Sequence, residues 1–184
     1  TAVVPNAYVC FENFKSQFSL QNKKELHQKL TEVFSFRNDL SQRRATAEEL
    51  FRLFLIKHPF DVPDEVVHNE QEQLLQIIRS TPDYQVYKSQ PKFKEYIRRL
   101  AEKQIKEALI ADLVAYQETI NADQNDVIAY LNLTKRPRTK EFIYFVPPQT
   151  KVQGQELPIS SSVMELACRR EKTLNHIIHQ LARR

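Results

Sequence analysis

From Asn6 to His58 the chain contains neither proline nor glycine. Within that stretch Leu26, Leu30, Val33, Phe34, Leu40, Ala47, Leu50, Phe51 and Phe54 return mostly at three- and four-residue steps. That spacing marks one face of an α-helix. An unbroken helix from Gln21 to Ile56 would be about 54 Å long at 1.5 Å per residue, well beyond the ~30 Å of a 20-residue helix, and so would protrude. Thr46 and Glu49 have the spacing of a capping box, which would divide the segment near Arg44 and Ala45; the favoured reading is one helix over residues 21–57, preceded by a lead-in over 1–20.

A second set of elements follows over residues 63–133. Pro63 is pre-set for a first helical turn, and Asp64 and Glu65 complement the positive end of the helix dipole. Val66, Val67, Leu74, Ile77 and Ile78 then mark one face, and Pro82 closes the element. Ser89, Pro91 and the run Phe93 to Ile120 predict another long helix. Its stretch Ala108-Leu109-Ile110-Ala111-Asp112-Leu113-Val114-Ala115-Tyr116 is apolar on nearly every side, which predicts burial among other helices. Asn121 with Gln124 predicts a cap for a short helix through Val127, Ile128, Tyr130 and Leu131. Residues 134–159 are the least regular, with Pro137, Pro147, Pro148, Gly154 and Pro158 around the apolar knot Phe142-Ile143-Tyr144-Phe145-Val146, readable as a short helix or a strand. Ser162 with Glu165 predicts the cap of a last helix over 160–182, carrying Val163, Leu166, Ala167, Leu174, Ile177, Ile178 and Leu181. The expected architecture is all-α: an elongated multi-helix domain, 1–184, with a long N-terminal helix and protruding helical arms.

Composition narrows the chemistry. With 41% apolar residues the 184-residue chain can build a core, so a disordered chain is not expected. Gly154 is the single glycine. Phosphate-cradling loops and dinucleotide-binding turns need several, so that chemistry is excluded. No apolar run reaches the roughly 18 residues of a membrane span. The chain opens at Thr1 rather than methionine, which reads as a trimmed start. Cys10 and Cys168 are too few and too isolated for a disulfide framework and read as thiols of a reducing cytosol. His176 and His179 share a helix face but lack further ligands at metal spacing, and Cys168 beside Arg169 and Arg170 lacks a base; it reads as a buried structural thiol. No metal, cofactor, catalytic acid or catalytic base is assigned.

Basic clusters occur at Arg43-Arg44, Lys135-Arg136-Arg138-Lys140, Arg169-Arg170-Lys172 and Arg183-Arg184. The net charge of only +4 favours solvated helix faces over a nucleic-acid surface. Eleven Phe and seven Tyr are more distinctive. Phe11, Phe14 and Phe18 form one stripe, Phe51, Phe54 and Phe60 another, and the 142–146 knot a third. Ordinary core packing is the first reading for each, but an elongated protein has too little interior for all of them, so part of this surface is expected to stay exposed as a binding face.

The order of these elements resembles the bacterial trigger factor family after its isomerase domain. The likeness rests on Phe11-Glu12-Asn13-Phe14, the helix start Asn22-Lys23-Lys24-Glu25-Leu26, and Phe60-Asp61-Val62-Pro63-Asp64-Glu65-Val66-Val67. It continues through the long helix Ile97 to Ile120, the Ala122-Asp123 start and the closing Ile177-Ile178-His179-Gln180-Leu181-Ala182. It runs over nearly the whole chain, and Lys135 to Pro158 departs from it. The resemblance implies a cytoplasmic, ATP-independent chaperone domain that cradles unfolded or nascent polypeptides. The family's ribosome-docking and FKBP-like isomerase domains are absent here, so ribosome contact and isomerase activity are not expected of this chain. On that reading Phe51, Phe54, Phe142, Tyr144, Phe145 and Val146 are the expected polypeptide contacts. Membrane and nucleic-acid partners are not expected. Competing readings are a periplasmic chaperone of outer-membrane proteins and a helical scaffold or nucleic-acid-binding module.

Overall fold

A computed structural model describes residues 16, 19, 21–136, 139–147, 151–152, 155–156 and 160–182. The stripe Phe11, Phe14 and Phe18, Cys10 and Gly154 lie outside the described residues. Six α-helices account for most of the described chain: α1 (Lys23–Lys57), α2 (Asp64–Arg79), α3 (Tyr84–Lys88), α4 (Phe93–Gln117), α5 (Gln124–Lys135) and α6 (Ser161–Ala182). A 3-10 turn, Thr139–Phe142, follows α5. Two-residue strands Lys151–Val152 and Gln155–Glu156 pair antiparallel, with Lys151 opposite Glu156. The protein is all-α and multi-helical, as expected; the 142–146 knot is neither strand nor regular helix but the end of the 3-10 turn and the irregular chain after it.

The chain divides into two compact units, Thr1–Arg43 and Arg44–Arg184. In the first, α1 starts at a local cap: the Glu25 N–H donates to Asn22 Oδ1 at 2.9 Å, and Asn22 Nδ2 donates back to Glu25. Among the described residues of this unit, Leu26 is buried. The helix continues without a break through Thr46, so the Thr46–Glu49 pair does not cap a separate helix. Glu49 pairs with Arg52 instead.

Among its described residues the second unit has two clusters of buried side chains. One joins Ala47, Leu50 and Phe51 of α1 to Ile110 and Ala111 of α4 and Leu174 of α6. The other joins Ala122, Tyr130, Ile143, Met164, Ala167 and Cys168. α4 packs against α2 and α6, while α5 packs on the 3-10 turn and α6. Arg170 of α6 grips Asp112 of α4 with Nε and Nη2, the shorter contact being 2.6 Å. Such a bidentate, half-buried pair fixes the register of two helices better than a single exposed ion pair.

Two caps fall elsewhere than the sequence spacing suggests. Asp123 and Asp126, not Asn121 and Gln124, form the capping box of α5. An aspartate at each position can accept a backbone N–H across the first turn, which the longer Gln124 side chain does not do here. At α6 the cap is Ser160, whose Oγ accepts the Val163 N–H, so Ser162 lies inside the helix. Pro63 precedes α2 at its N-cap with φ −55°, and Asp64 and Glu65 occupy the first turn.

Candidate functional site

Three rings meet at the centre of the second unit. Phe51 lies 5.6 Å from Tyr144 in a stacked arrangement and 5.8 Å from Phe145 edge-on, and Tyr144 and Phe145 are themselves 5.4 Å apart. A short irregular segment would not hold two aromatic residues in place by sequence alone, because its backbone donors have no ladder or helix to enter. Here α6 supplies the acceptor. Glu171 Oε2 accepts both the Tyr144 N–H (2.9 Å) and the Phe145 N–H (3.0 Å). The Phe145 carbonyl accepts from the Tyr130 hydroxyl at 2.6 Å, and the Tyr144 hydroxyl donates to Glu107 Oε2 at 3.1 Å. Each anchor comes from a different helix, so the turn is tied to α4, α5 and α6 together.

The environment acts on the groups that hold it. Burial pushes both the Tyr130 and Tyr144 phenols well above their ordinary range, with neighbouring carboxylates adding to the effect; both remain protonated donors. Burial also raises the Glu107 carboxyl, and Glu48 acts in the same direction, against the opposing influence of Lys103 and the Tyr144 hydroxyl. A raised folded-state value means that the folded protein holds this proton more tightly than the unfolded chain. The associated stability is fully present below the unfolded value of about 4.3 and is lost as pH rises through the folded value. Glu107→Gln, which stays neutral and still accepts from Tyr144, is expected to flatten this dependence and to be more stable than the parent at pH 8. Urea midpoints at pH 5 and pH 8 check it, the two proteins converging at the lower pH.

The six residues expected as polypeptide contacts occupy different environments. Phe51 is 0% exposed and belongs to the core. Phe54, Tyr144 and Phe145 are half-buried against the same cluster, and Phe142 is half-buried at the end of the 3-10 turn. Val146 is 70% exposed. The structure therefore brings Phe51, Tyr144 and Phe145 together as packing partners.

The run Ala108 to Tyr116, expected to be buried throughout, is covered on one side only. Ile110, Ala111 and Ala115 are buried, whereas Leu109, Leu113 and Tyr116 are 47%, 57% and 84% exposed. At about 100° per residue these three fall within roughly 60° of one another on α4, opposite Ala111 and Ala115. The neighbours of α4 cover its other face, so i, i+4 and i+7 form an apolar stripe without a partner among the described residues. Periodicity detected an apolar helix here and could not tell which of its faces lacks a neighbour. Leu53 and Ile56, one turn apart on α1, are also exposed.

Little else points to chemistry. Two shallow hollows have volumes of about 360 Å³, beside Ser162 and Arg169, and about 430 Å³, beside Pro59 and Lys106. Cys168 is a free, buried thiol, and burial pushes its pKa up rather than toward a reactive thiolate. Among the described residues no group of three His, Cys, Asp or Glu side chains could hold a metal ion, and no helix is long and apolar enough to cross a membrane.

Comparison with known proteins supplies the class. A family profile described as bacterial trigger factor protein (TF) C-terminus matches residues 15–144. No curated protein and no solved structure matches the chain. Helical fold and family match together define a chaperone-type domain. The chain belongs to the family of the bacterial trigger factor C-terminus, the chaperone part of that protein and not its isomerase domain. The match stops at residue 144, before Glu171 and Leu174 of α6, which complete the core under its last matched residues.

Proposed function

We propose that this domain binds unfolded polypeptide segments without ATP, chiefly through the Leu109–Leu113–Tyr116 face of α4. The single observation behind this reading is that a chaperone-family domain leaves three large apolar side chains in register on one helix face. Isolated exposed apolar residues are ordinary, but a contiguous stripe is not. Val146, Leu53 and Ile56 add exposed apolar surface, while Phe51, Tyr144 and Phe145 shape the support rather than touch the client in this conformation. Nascent or otherwise unfolded chains are the proposed partners. The proposed compartment is the cytoplasm, where a free thiol such as Cys168 stays reduced.

The expected affinity is modest. Full burial of a large apolar side chain contributes roughly 1.5–3 kcal/mol, and the stripe residues are half to mostly exposed, so each offers a client roughly 1–2 kcal/mol. Ordering the flexible client opposes binding. Replacing all three by glutamine, a good helix former, is expected to weaken binding of a permanently unfolded, reduced protein at least tenfold, on the scale of about 1.4 kcal/mol per decade. Helicity is expected to be unchanged. Fluorescence anisotropy and circular dichroism on the same samples check this, and undiminished binding by the folded variant would contradict it.

A further inference from the structure

We infer that the connection between α2 and α4 forms a second contact surface, selective for client segments in which acidic residues flank apolar ones. The inference rests on the proposed binding of unfolded polypeptides and specifies a substrate class. Along this connection and the first turn of α4, Val86, Tyr87 and Tyr96 are all exposed. The chain from Asp83 to Arg99 carries five cationic side chains, Lys88, Lys92, Lys94, Arg98 and Arg99, and only two carboxylates, Asp83 and Glu95. Arg98 pairs with Asp64 and Arg99 with Glu95. None of Lys88, Lys92 and Lys94 pairs with a carboxylate among the described residues, although Lys88 lies 5.9 Å over the Tyr84 ring.

Two of these cations sit where the fold itself disfavours them. Lys92 is the N-cap of α4, makes no side-chain cap, and holds a left-handed φ of 68°; Lys94 follows in the first turn. Positive charge at a helix N-terminus opposes the helix dipole; Glu95 in the same turn is neutralised by Arg99, so Lys92 and Lys94 leave the local potential positive from side chains and backbone alike. An acidic segment relieves this repulsion while its neighbouring apolar residues cover Tyr87, Val86 and Tyr96. The stripe on α4 lacks this bias: Asp112, beside it, is held by Arg170, and Glu118 beyond it lies near His176. The two surfaces thus differ in the charge they tolerate, and complementary charge sets preference and encounter rate.

The test uses the full chain and two labelled, unstructured peptides with identical Leu and Phe positions, one flanked by glutamates and the other by serines. At low salt the acidic peptide is expected to bind about tenfold more tightly, and this advantage is expected to fade as salt screens the exposed charges. Lys88→Glu/Lys92→Glu/Lys94→Glu is expected to abolish the preference and leave the serine-flanked peptide unaffected. Tyr96→Ser, which keeps every charge, is expected to weaken the acidic peptide about threefold, through lost apolar area. Equal binding of both peptides by the parent protein, or a preference that survives charge reversal, would overturn the inference while the binding role of α4 stands. Failure of the parent protein to bind either peptide would overturn both. Tighter binding of a poly-uridine RNA than of the acidic peptide would overturn it in favour of a nucleic-acid surface.

Discussion

Phe51→Ala is expected to destabilise the second unit by about 3–5 kcal/mol, the usual cost of removing a large aromatic side chain from a packed interior. Three observations place the value in this range. Phe51 has no exposed surface. Its ring contacts those of Tyr144 and Phe145. The buried cluster it belongs to, with Ala47, Leu50, Ile110, Ala111 and Leu174, is drawn from three helices, so collapse around the void would require several helices to move together. A loss of this size is a large share of a typical total stability of about 5–15 kcal/mol. Urea unfolding followed by circular dichroism measures it. A loss below about 1 kcal/mol would show that Phe51 lies at a yielding surface and not in the core, on the scale of ordinary surface substitutions.

Glu171→Ala carries the second large effect. It removes the acceptor of two backbone N–H groups, at Tyr144 and Phe145, and an abandoned buried donor costs about 1–3 kcal/mol. Part of this is offset because the parent must desolvate the carboxylate itself, so the expected loss is about 2–4 kcal/mol. Glu171→Gln keeps an uncharged acceptor oxygen and is expected to lose about 1 kcal/mol, the difference between charged and neutral hydrogen bonds. With the tether gone, Tyr144 and Phe145 should loosen and expose apolar surface, seen as stronger binding of an environment-sensitive dye by the alanine variant under native conditions. Equal stability of parent and alanine variants would remove the anchoring role assigned to Glu171.

The helices were legible because their determinants are local. The proline-free stretch before His58 supports one unbroken α1, and Asp61-Val62-Pro63-Asp64 marks the entry to α2. The apolar positions Ala167, Leu174, Ile177 and Ile178, three, four and seven residues apart, mark the face that α6 presents, while Val163 and Leu181 near its ends stay exposed. Capping was less legible, since Asn121, Asp123, Ser160 and Ser162 are all chemically competent and only the path of the chain selects among them. Short α3 was missed altogether: five residues are too few for periodicity to register.

The site was read less well, because exposure is decided by distant neighbours. Phe51 and Leu113 are alike in a hydropathy pattern, yet α4, α6 and the 142–146 turn enclose the first, and no described element covers the second. One signal was available in the sequence. Glu171 lies on the same helical face as Met164, Ala167, Cys168 and Leu174, where a carboxylate is out of place unless a buried donor awaits it. Its partner in the irregular 142–146 segment was accessible only from the fold, as was the Tyr144 contact to Glu107.

The most direct measurement of the central claim is the anisotropy titration of a permanently unfolded, reduced protein onto the parent chain and the Leu109→Gln/Leu113→Gln/Tyr116→Gln variant, each at low and high salt. Micromolar binding by the parent is expected to persist at high salt, because apolar contacts are not screened, with at least tenfold weaker binding by an equally helical variant. Identical affinities for the two proteins, or parent binding abolished by salt, would contradict it.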